Sequence, residues 1–367
     1  MDKENRAGGL SFFVSVGATC STSDKSRKGV GMKKTIWLAT CFCLVLGFGA
    51  ATVQAEQIVI KAVTAFPKNH LNNDPVGILV DRVNKGAQGR LRIDWVGGPE
   101  VVKPFDQVHA LKAGTIDMDL YYPFGYMKPV MPEAWAKGLT ELAEWEERKT
   151  GAFELWGEII EKRVNAKYLG RLHNLLPFKV FCNKKVEKVD DFKGMKIRVM
   201  PLYIPFMKAL GVTPVTVEPT EIYTAMERGV VDGFMWPNVG VISWGLQEVT
   251  KYVIDPGVFQ MEPATMINMN TWKKIPKDLQ EVIMENVKDM EYIGTMRNAM
   301  IEAKEDEVRK KAGMKTIQLP PEEAEKFRNI CYGETWKFVI ESAPEYGPKL
   351  RELSSKKALP KGSFPWQ

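Results

Sequence analysis

One arginine stands out among the residues whose chemistry could support a function. Arg198 lies in a short segment of strand character, residues 195–199, and two helix-sized segments follow it without an acid placed to pair with it locally. A guanidinium group offers a rigid fork of N–H donors that matches the two oxygens of a carboxylate. Arg198 is therefore a candidate anchor for a carboxylate ligand. An ordinary salt bridge at a strand edge is the alternative.

Aromatic residues follow two buried, strand-like segments and are candidates for the walls of the same site. Tyr121 and Tyr122 follow the first segment, and Trp236 follows the second. Proline and glycine flank both clusters, which favours strand ends that face a cleft. A lone aromatic residue is more often part of a core, so cleft and core both remain open for these side chains.

Motifs of the common catalytic and nucleotide-binding sites are absent from the sequence. His70, His109 and His173 have no acid–base partners at motif spacing, and no HExxH, CxxC, GxSxG, GxxxxGK[ST] or GxGxxG pattern occurs. Lysines and arginines are not interleaved with aromatic residues as a nucleic-acid groove requires. The sequence thus favours binding over catalysis and predicts neither a cofactor nor a nucleic-acid partner. An exported enzyme that uses Glu100 or His70 as an acid–base group is the alternative.

The amino terminus has the pattern of an export signal. A basic start at Met32 precedes an apolar run and then small residues up to Ala55. We expect an upstream extension over 1–31 and a signal peptide over 32–55 that is cleaved after about Ala55. A membrane anchor and a lipidated Cys41 are the alternatives. Cleavage leaves 44 Lys and Arg against 42 Asp and Glu, so the mature chain is nearly neutral.

Two cysteines lie beyond the predicted signal. Cys182 and Cys331 are 149 positions apart and have no spacing typical of a disulfide framework. Either one disulfide or two buried free thiols fits an exported protein.

An internal repeat indicates two similar α/β units. Residues 110–117 and 225–232 share the pattern A-[LM]-x-x-G-x-[IV]-D at an offset of 115 residues. Each copy predicts an amphipathic helix that ends at a glycine, followed by a buried strand ending in Asp. Two such lobes would enclose a cleft at the carboxyl ends of their strands.

Strands and helices alternate along the mature chain, which predicts an α/β fold. The clearest predicted strands cover 57–63, 90–96, 195–199, 249–254 and 265–269, and the clearest helices cover 75–84, 202–210 and 276–312. The last helix is the longest periodic segment and would brace both lobes from behind. We expect lobe I over 56–178 with a return segment at about 264–312, and lobe II over 179–263 with parts of 313–367.

Three blocks in a fixed order resemble the solute-binding subunits of tripartite ATP-independent periplasmic (TRAP) transporters of the DctP type. They are DFKGMKIRV over 191–199, Leu210-Gly211 with Pro214, and EIYTAM with GVVDG over 221–233. The resemblance covers roughly 57–353. It implies a type II-like, two-lobed periplasmic binding protein that is not an enzyme, with an organic acid as ligand and TRAP membrane subunits as partners. It also implies that Arg198 forms a bidentate pair with the ligand carboxylate.

Two departures from the family bear on the ligand. Residues 251–257 and 270–280 are most similar to the branch that binds 2-oxo and 2-hydroxy monocarboxylates. Where that branch has an acidic residue that helps to hold a metal ion, this chain has Met235. Where the C4-dicarboxylate and sialic acid branches have an asparagine, this chain has Trp236. We therefore expect a metal-free, apolar pocket for a monocarboxylate with an apolar or aromatic body. A C4-dicarboxylate is the alternative, and a replacement polar group could come from Glu100, Asn69 or Asn238.

The predicted ligand site combines the arginine with side chains of both lobes. Its members are Arg198, Trp236, Phe178, Tyr121, Tyr122, Phe66, Asn238 and Glu100. We expect the lobes to close over the acid by a hinge motion and to present a composite surface to the membrane subunits. A sensory module that hands its liganded state to a signalling protein is the alternative.

Overall fold

The computed structural model describes residues 56–127 and 129–360. Its strands are β1 (Ile58–Thr64), β2 (Leu91–Gly97), β3 (Met118–Pro123), β4 (Ala166–Gly170), β5 (Pro177–Cys182), β6 (Lys196–Arg198), β7 (Thr213–Val215), β8 (Gly233–Pro237), β9 (Tyr252–Gln260), β10 (Pro263–Asn268) and β11 (Lys315–Gln318). Its α-helices are α1 (Asp74–Gly86), α2 (Gln107–Ala113), α3 (Glu144–Thr150), α4 (Ala152–Val164), α5 (Ile204–Ala209), α6 (Ile222–Glu227), α7 (Met269–Lys274), α8 (Lys277–Lys311), α9 (Pro321–Ser342) and α10 (Gly347–Leu353).

The strands form two sheets, one in each lobe. The first sheet has the order β2-β1-β3-β10-β4, and the second has the order β11-β9-β5-β8-β6-β7. In the first, β1 runs parallel to β2 and β3, while β10 is antiparallel to β3 and β4. In the second, β6 runs parallel to β7 and β8, while β5 is antiparallel to β8 and β9. The prediction of a two-lobed α/β fold is confirmed.

The chain passes between the sheets three times. It leaves the first sheet after β4 and enters the second at β5, returns between β9 and β10 through Met261 and Glu262, and crosses again from β10 to β11 through α7 and α8. The predicted lobe boundaries, at 178/179 and 263/264, lie beside the first two passages, and the division of the chain into lobes remains a prediction. No helix in the described part of the chain is long and apolar enough to cross a membrane.

The long helix α8 contacts both lobes. Its first half buries Leu279, Ile283 and Val287, and it packs against α1 and β4 of the first lobe. Near its other end, Glu305 accepts a hydrogen bond from the backbone N–H of Gly240, at 2.9 Å, in the second lobe. The helix therefore braces the two lobes, as predicted.

The internal repeat corresponds to the same hydrogen-bonded unit in each lobe. The carboxylate of Asp117 accepts from the backbone N–H of Lys61 in β1 at 2.9 Å, and that of Asp232 accepts from Lys196 in β6 at 2.8 Å. Each aspartate also donates its own N–H to the carbonyl of the same lysine. The aspartate thus fixes the register between neighbouring strands. The expectation that the strand ends in Asp is wrong, since β3 and β8 begin just after it.

Two further predictions have different outcomes. Cys182 and Cys331 are free and buried, and burial raises the pKa of the Cys182 thiol to about 12. The signal peptide over 32–55 and the extension over 1–31 lie outside the described residues.

Candidate functional site

Ends of strands from both sheets meet around one inner pocket. Arg198 is the last residue of β6, Trp236 lies near the end of the parallel neighbour β8, and Tyr121 lies in β3 of the other sheet. The free cavity between the side chains of this inner pocket is about 20 Å³. It is lined by Phe66, Tyr121, Pro123, Tyr126, Phe178, Arg198, Met200, Trp236, Pro237, Met261, Glu262 and Pro263. Its lining is mostly apolar and aromatic, with a few polar groups, which is typical of a small-molecule site.

Arg198 is fully buried and lacks a carboxylate partner. Its Nε and Nη2 both donate to the carbonyl oxygen of Val217, at 3.1 and 3.0 Å. No Asp or Glu oxygen of the described residues lies within ion-pair distance, and Nη1 makes no well-formed hydrogen bond. Burial lowers the pKa of Arg198, and the nearby Tyr126 offsets this in part. Two N–H bonds of Nη1 and one of Nη2 remain, so the end of the guanidinium is free to pair with two carboxylate oxygens.

Aromatic rings of both lobes form one wall of the pocket. The guanidinium carbon of Arg198 lies 5.7 Å from the ring centre of Trp236, within the range of a cation–π contact. Phe66, from the loop after β1, lies 5.9 Å from Trp236 and 5.4 Å from Tyr121, measured between ring centres. Because Phe66 and Trp236 belong to different lobes, their contact holds the lobes in a closed arrangement.

Two polar residues of the pocket were missed by the sequence analysis. Tyr126 is buried, and its hydroxyl makes no well-formed hydrogen bond although Arg198 and Glu262 are close enough to influence it. Glu262 is buried on the passage between β9 and β10, and burial raises the pKa of its carboxyl to about 8. A lone acid between two predicted strands belongs to no motif. The only signal was its place where the chain changes lobes.

An outer cleft adjoins the inner pocket at Phe66. It holds about 920 Å³ of space and is lined by residues of both lobes, among them Glu100, Lys103 and Glu218. The carboxylate of Glu100 accepts a hydrogen bond from the N–H of Gly98 at 2.8 Å. Burial raises the pKa of Glu218, and the charge of Arg198 acts in the opposite direction. Glu218 therefore lies near enough to Arg198 for their charges to act on each other, although the two do not form an ion pair.

The structure brings together five of the eight predicted site residues. Arg198, Trp236, Phe178, Tyr121 and Phe66 line the inner pocket. The other three do not.

Three predicted residues lie elsewhere. Tyr122 follows Tyr121 in β3, so the two side chains leave the strand on opposite faces; Tyr122 does not line the inner pocket, and its ring centre lies 5.9 Å from that of the pocket residue Tyr126. The side-chain amide of Asn238 donates to Glu302 of α8, and the backbone carbonyl of Asn238 accepts from Arg309. Glu100 lines the outer cleft only.

Met235 stands where the branch that binds 2-oxo and 2-hydroxy monocarboxylates has an acid that helps to hold a metal ion, and it does not line the inner pocket. Met235 is buried next to Trp236 in β8, and its backbone pairs with Val180. Within residues 56–127 and 129–360, no cluster of three or more His, Cys, Asp or Glu side chains could hold a metal ion. The metal-free site remains a prediction.

The histidines give little support to acid–base catalysis. Burial and the neighbouring His173 lower the pKa of His70 to about 3, and burial lowers the pKa of His173 to about 4. Both rings are therefore neutral at pH 7. Neither histidine lines the inner pocket or the outer cleft.

The chain is similar to a known family over most of its length. Residues 63–341 match the model of the bacterial extracellular solute-binding protein family 7, DctP. An uncharacterised protein of Haemophilus influenzae is 37% identical over 108 residues, which is 29% of this chain and 33% of the relative. The monocarboxylate 2-oxoacid-binding periplasmic protein of Nostoc sp. is 23% identical over 60% of this chain and 63% of its own length. The chain thus spans less than two thirds of either relative.

Solved structures share the fold. A TRAP periplasmic solute-binding protein of Desulfovibrio salexigens, with bound orotic acid, has a TM-score of 0.74 at 18% identity, over 81% of this chain and 97% of that one. A marine metagenome TRAP protein specific for aromatic acids, crystallised with 3-hydroxybenzoate, has a TM-score of 0.67 at 20% identity, over 81% and 98%. At these identities the likeness concerns the fold alone.

Proposed function

Since the chain belongs to the bacterial extracellular solute-binding protein family 7, the DctP family, we propose that it is the periplasmic solute receptor of a TRAP transporter. In this proposal it captures an organic acid, a monocarboxylate with an apolar or aromatic body, and delivers it to the membrane subunits. The relative that binds 2-oxo monocarboxylates and the neighbour that binds aromatic acids support this class of ligand.

One observation carries the proposal. Arg198 is fully buried in a pocket between the lobes, has no carboxylate partner, and has unused N–H donors at the end of its guanidinium group. An uncompensated buried charge costs several kcal/mol unless something pairs with it. A bound carboxylate supplies that partner. Since the carbonyl of Val217 already accepts from Nε and Nη2, the ligand carboxylate pairs with the end of the guanidinium group, through Nη1 and the remaining N–H of Nη2.

The pocket favours a small ligand with an apolar body. Its free cavity of about 20 Å³ has room for about one water molecule, so in this closed arrangement its own side chains nearly fill it, and an acid enters when the lobes open. Once the carboxylate is paired, the body of the acid lies among the rings of Phe66, Tyr121 and Trp236. Burial of apolar surface then adds to affinity at roughly 25 cal/mol per Å².

Closure of the lobes couples binding to delivery. Phe66 and Trp236 approach each other across the cleft, and the N–H of Leu71 lies 3.4 Å from the hydroxyl of Ser243 in the other lobe. A ligand that touches both lobes stabilises the closed state in proportion to its additional contacts there. The closed surface is then what the membrane subunits recognise. No step of this cycle in the receptor itself requires ATP.

A thermal-shift screen with the purified mature chain tests the proposal. The acids are pyruvate, lactate, benzoate and succinate, and a ligand present at 100 times its Kd adds about 2.7 kcal/mol to the apparent stability. We expect the best monocarboxylate to lose its shift with Arg198→Met. Arg198→Lys should retain a reduced shift, because an ammonium group keeps the charge but lacks the fork.

Controls separate the arginine from general effects. Arg92→Met removes an exposed ion pair with Asp94 and should leave the shift unchanged. EDTA should also leave it unchanged if the site needs no metal. A shift that survives Arg198→Met undiminished would refute the anchor, and turnover of a bound acid would show an enzyme instead.

A further inference from the structure

Glu262 has a free carboxyl oxygen in the wall of the inner pocket. The residue lies on the passage between β9 and β10, and its neighbours Met261 and Pro263 line the same pocket. Its side chain is 1% exposed. Oε2 accepts a long hydrogen bond, of 3.5 Å, from the hydroxyl of Tyr203, and Oε1 makes no well-formed hydrogen bond among the described residues, although the backbone N–H groups of Gly125 and of Glu262 itself lie close enough to act on the carboxyl. A buried, unpaired oxygen of this kind costs stability unless a ligand or water satisfies it.

The groups around Glu262 do not balance a negative charge. Tyr121, Tyr126 and Tyr203 face it from three separate segments, and burial raises the pKa of each of these tyrosines, so they remain neutral. The cation that acts on it most is Arg171, which is already paired with Glu144 and Glu147. With its pKa raised to about 8 by burial, the Glu262 carboxyl is mostly protonated at pH 7. A protonated carboxyl both donates and accepts hydrogen bonds.

Arg198 and Glu262 both line the inner pocket, and no ion pair forms between them. The charges of both act on the buried hydroxyl of Tyr126, which lines the same pocket. The pocket therefore offers a cation for a carboxylate and a second, neutral polar group at Glu262.

We propose that Glu262 binds a hydroxyl group of the ligand, and that it thereby selects monocarboxylates with a hydroxyl group over plain monocarboxylates and over dicarboxylates. This inference rests on the proposed function, because it assumes that the carboxylate occupies Arg198. A hydroxyl satisfies Oε1, whereas a plain hydrocarbon leaves that oxygen unpaired. A second carboxylate would be buried with no further cation among the residues that line the pocket to pair with it. Sites built to hydrogen-bond a hydroxyl discriminate strongly against analogues that lack it.

Matched acids and matched variants test the proposal. Affinities are measured by calorimetry at pH 7 for lactate against propanoate and for 3-hydroxybenzoate against benzoate, with succinate as the dicarboxylate. In the unaltered protein we expect at least one hydroxy acid to bind at least tenfold more tightly than its partner. Glu262→Gln keeps a donor and an acceptor of the same size and should retain that preference within about threefold. Glu262→Met should reduce it to near one.

A pH series is a second, independent test of the proposal, because it does not require the Glu262→Met variant to fold. Above pH 8 Glu262 ionises and can no longer donate a hydrogen bond, and its charge repels the ligand carboxylate, so the affinity of the unaltered protein for the hydroxy acid should fall. The Glu262→Gln protein should show a flat profile from pH 6 to pH 9.5. Equal profiles in the two proteins would overturn the proposal.

The outcomes distinguish this inference from the proposed function. If no acid binds, or if binding survives Arg198→Met, the proposed function fails. If acids bind through Arg198 but Glu262→Met keeps the hydroxyl preference, only this inference is overturned. Tighter binding of succinate than of either hydroxy acid would also overturn it. Circular dichroism and the Tm of each variant establish that the comparison is between folded proteins.

Discussion

Two fully buried arginines, Arg171 and Arg198, lie in very different electrostatic surroundings. Arg171 is paired with Glu144 at 3.1 Å and with Glu147 at 3.8 Å. Arg198 has the carbonyl of Val217, the neighbouring face of Trp236 and the nearby hydroxyl of Tyr126, and no carboxylate of the described residues forms an ion pair with it. Burial acts to lower the pKa of both arginines. The carboxylates of Glu147 and Glu144 nevertheless raise the pKa of Arg171 above its ordinary value, whereas the pKa of Arg198 stays below its ordinary value.

The surroundings of Arg171 form a complete ion cluster. Lys137 is also fully buried and pairs with Glu144 at 3.2 Å and with Glu147. The hydroxyl of Tyr168 donates to Glu144 at 2.6 Å. Burial would raise the pKa of Glu144, but Lys137 and Arg171 lower it below its ordinary value. The contrast teaches that burial alone does not identify a binding residue. The distinguishing feature of Arg198 is that no carboxylate in the described part of the chain pairs with its charge.

Breaking the ion cluster should have the largest effect on stability. Lys137→Met leaves Glu144 and Glu147 with only Arg171 as a cationic partner in a site that excludes water. Removing one member of a buried pair typically costs about 3–5 kcal/mol. We expect a loss of that size in the free energy of unfolding, measured by urea denaturation.

The control for this variant is an exposed lysine. Lys162 pairs with Glu345 at 2.7 Å, and both side chains are about half exposed. Lys162→Met should cost no more than about 1 kcal/mol. Equal costs for the two variants would mean that the buried cluster has no special role in stability.

Arg198→Met should show the opposite pattern, with a large effect on binding and a small one on stability. Loss of the carboxylate pair should weaken the best acid at least about 100-fold, since charge-assisted bidentate pairs are strong. Without ligand, the variant loses two hydrogen bonds to Val217 but no longer buries an unpaired charge. We expect the free energy of unfolding to change by no more than about 1 kcal/mol. A loss as large as that of Lys137→Met would place Arg198 among the structural charges.

Much of the fold could be predicted from local patterns. The period of apolar residues located α8 over 276–312, against Lys277–Lys311 in the structure. The repeat around Asp117 and Asp232 revealed two equivalent units, because each aspartate performs the same backbone-pairing task. The place where the chain passes between sheets was less clear, since β5 and β9 are apolar runs whose pairing depends on residues far along the chain.

Residues of the site could be predicted only where a sequence motif or the two-residue alternation of a strand fixed their position. Arg198 stands at the end of a recognisable strand, and Trp236 follows a buried strand beside it. Alternation along β3 meant that only one of Tyr121 and Tyr122 could face the pocket, and the sequence did not show which. Glu262 was missed because its role depends on burial between two lobes, which no local pattern reveals.

The third prediction concerns the pH dependence that Glu262 gives to stability. Its carboxyl has an ordinary pKa of 4.5 in the unfolded chain and about 8 in the folded protein, raised by burial. Between these values the folded state holds a proton that the unfolded state has lost, so stability falls as pH rises. Relative to Glu262→Gln, the ligand-free protein should lose about 2 kcal/mol between pH 5 and pH 7. Parallel curves for the two proteins would show that Glu262 is ionised when folded.

The smallest expected effects come from two tryptophans that lie beside the two buried cations. Trp236 faces Arg198 at 5.7 Å, and Trp156 faces Lys137 at 5.4 Å. Cation–π contacts of this kind contribute about 0.5–2 kcal/mol. Trp236→Phe should therefore weaken the acid about three- to tenfold and change the Tm little, because its ring covers the ligand as well as the guanidinium. Trp156→Phe should lower the free energy of unfolding by about 1–2 kcal/mol and leave affinity unchanged. If Trp156→Phe instead alters affinity, the ion cluster and the pocket are coupled, and the distinction between a structural and a ligand-binding cation no longer holds.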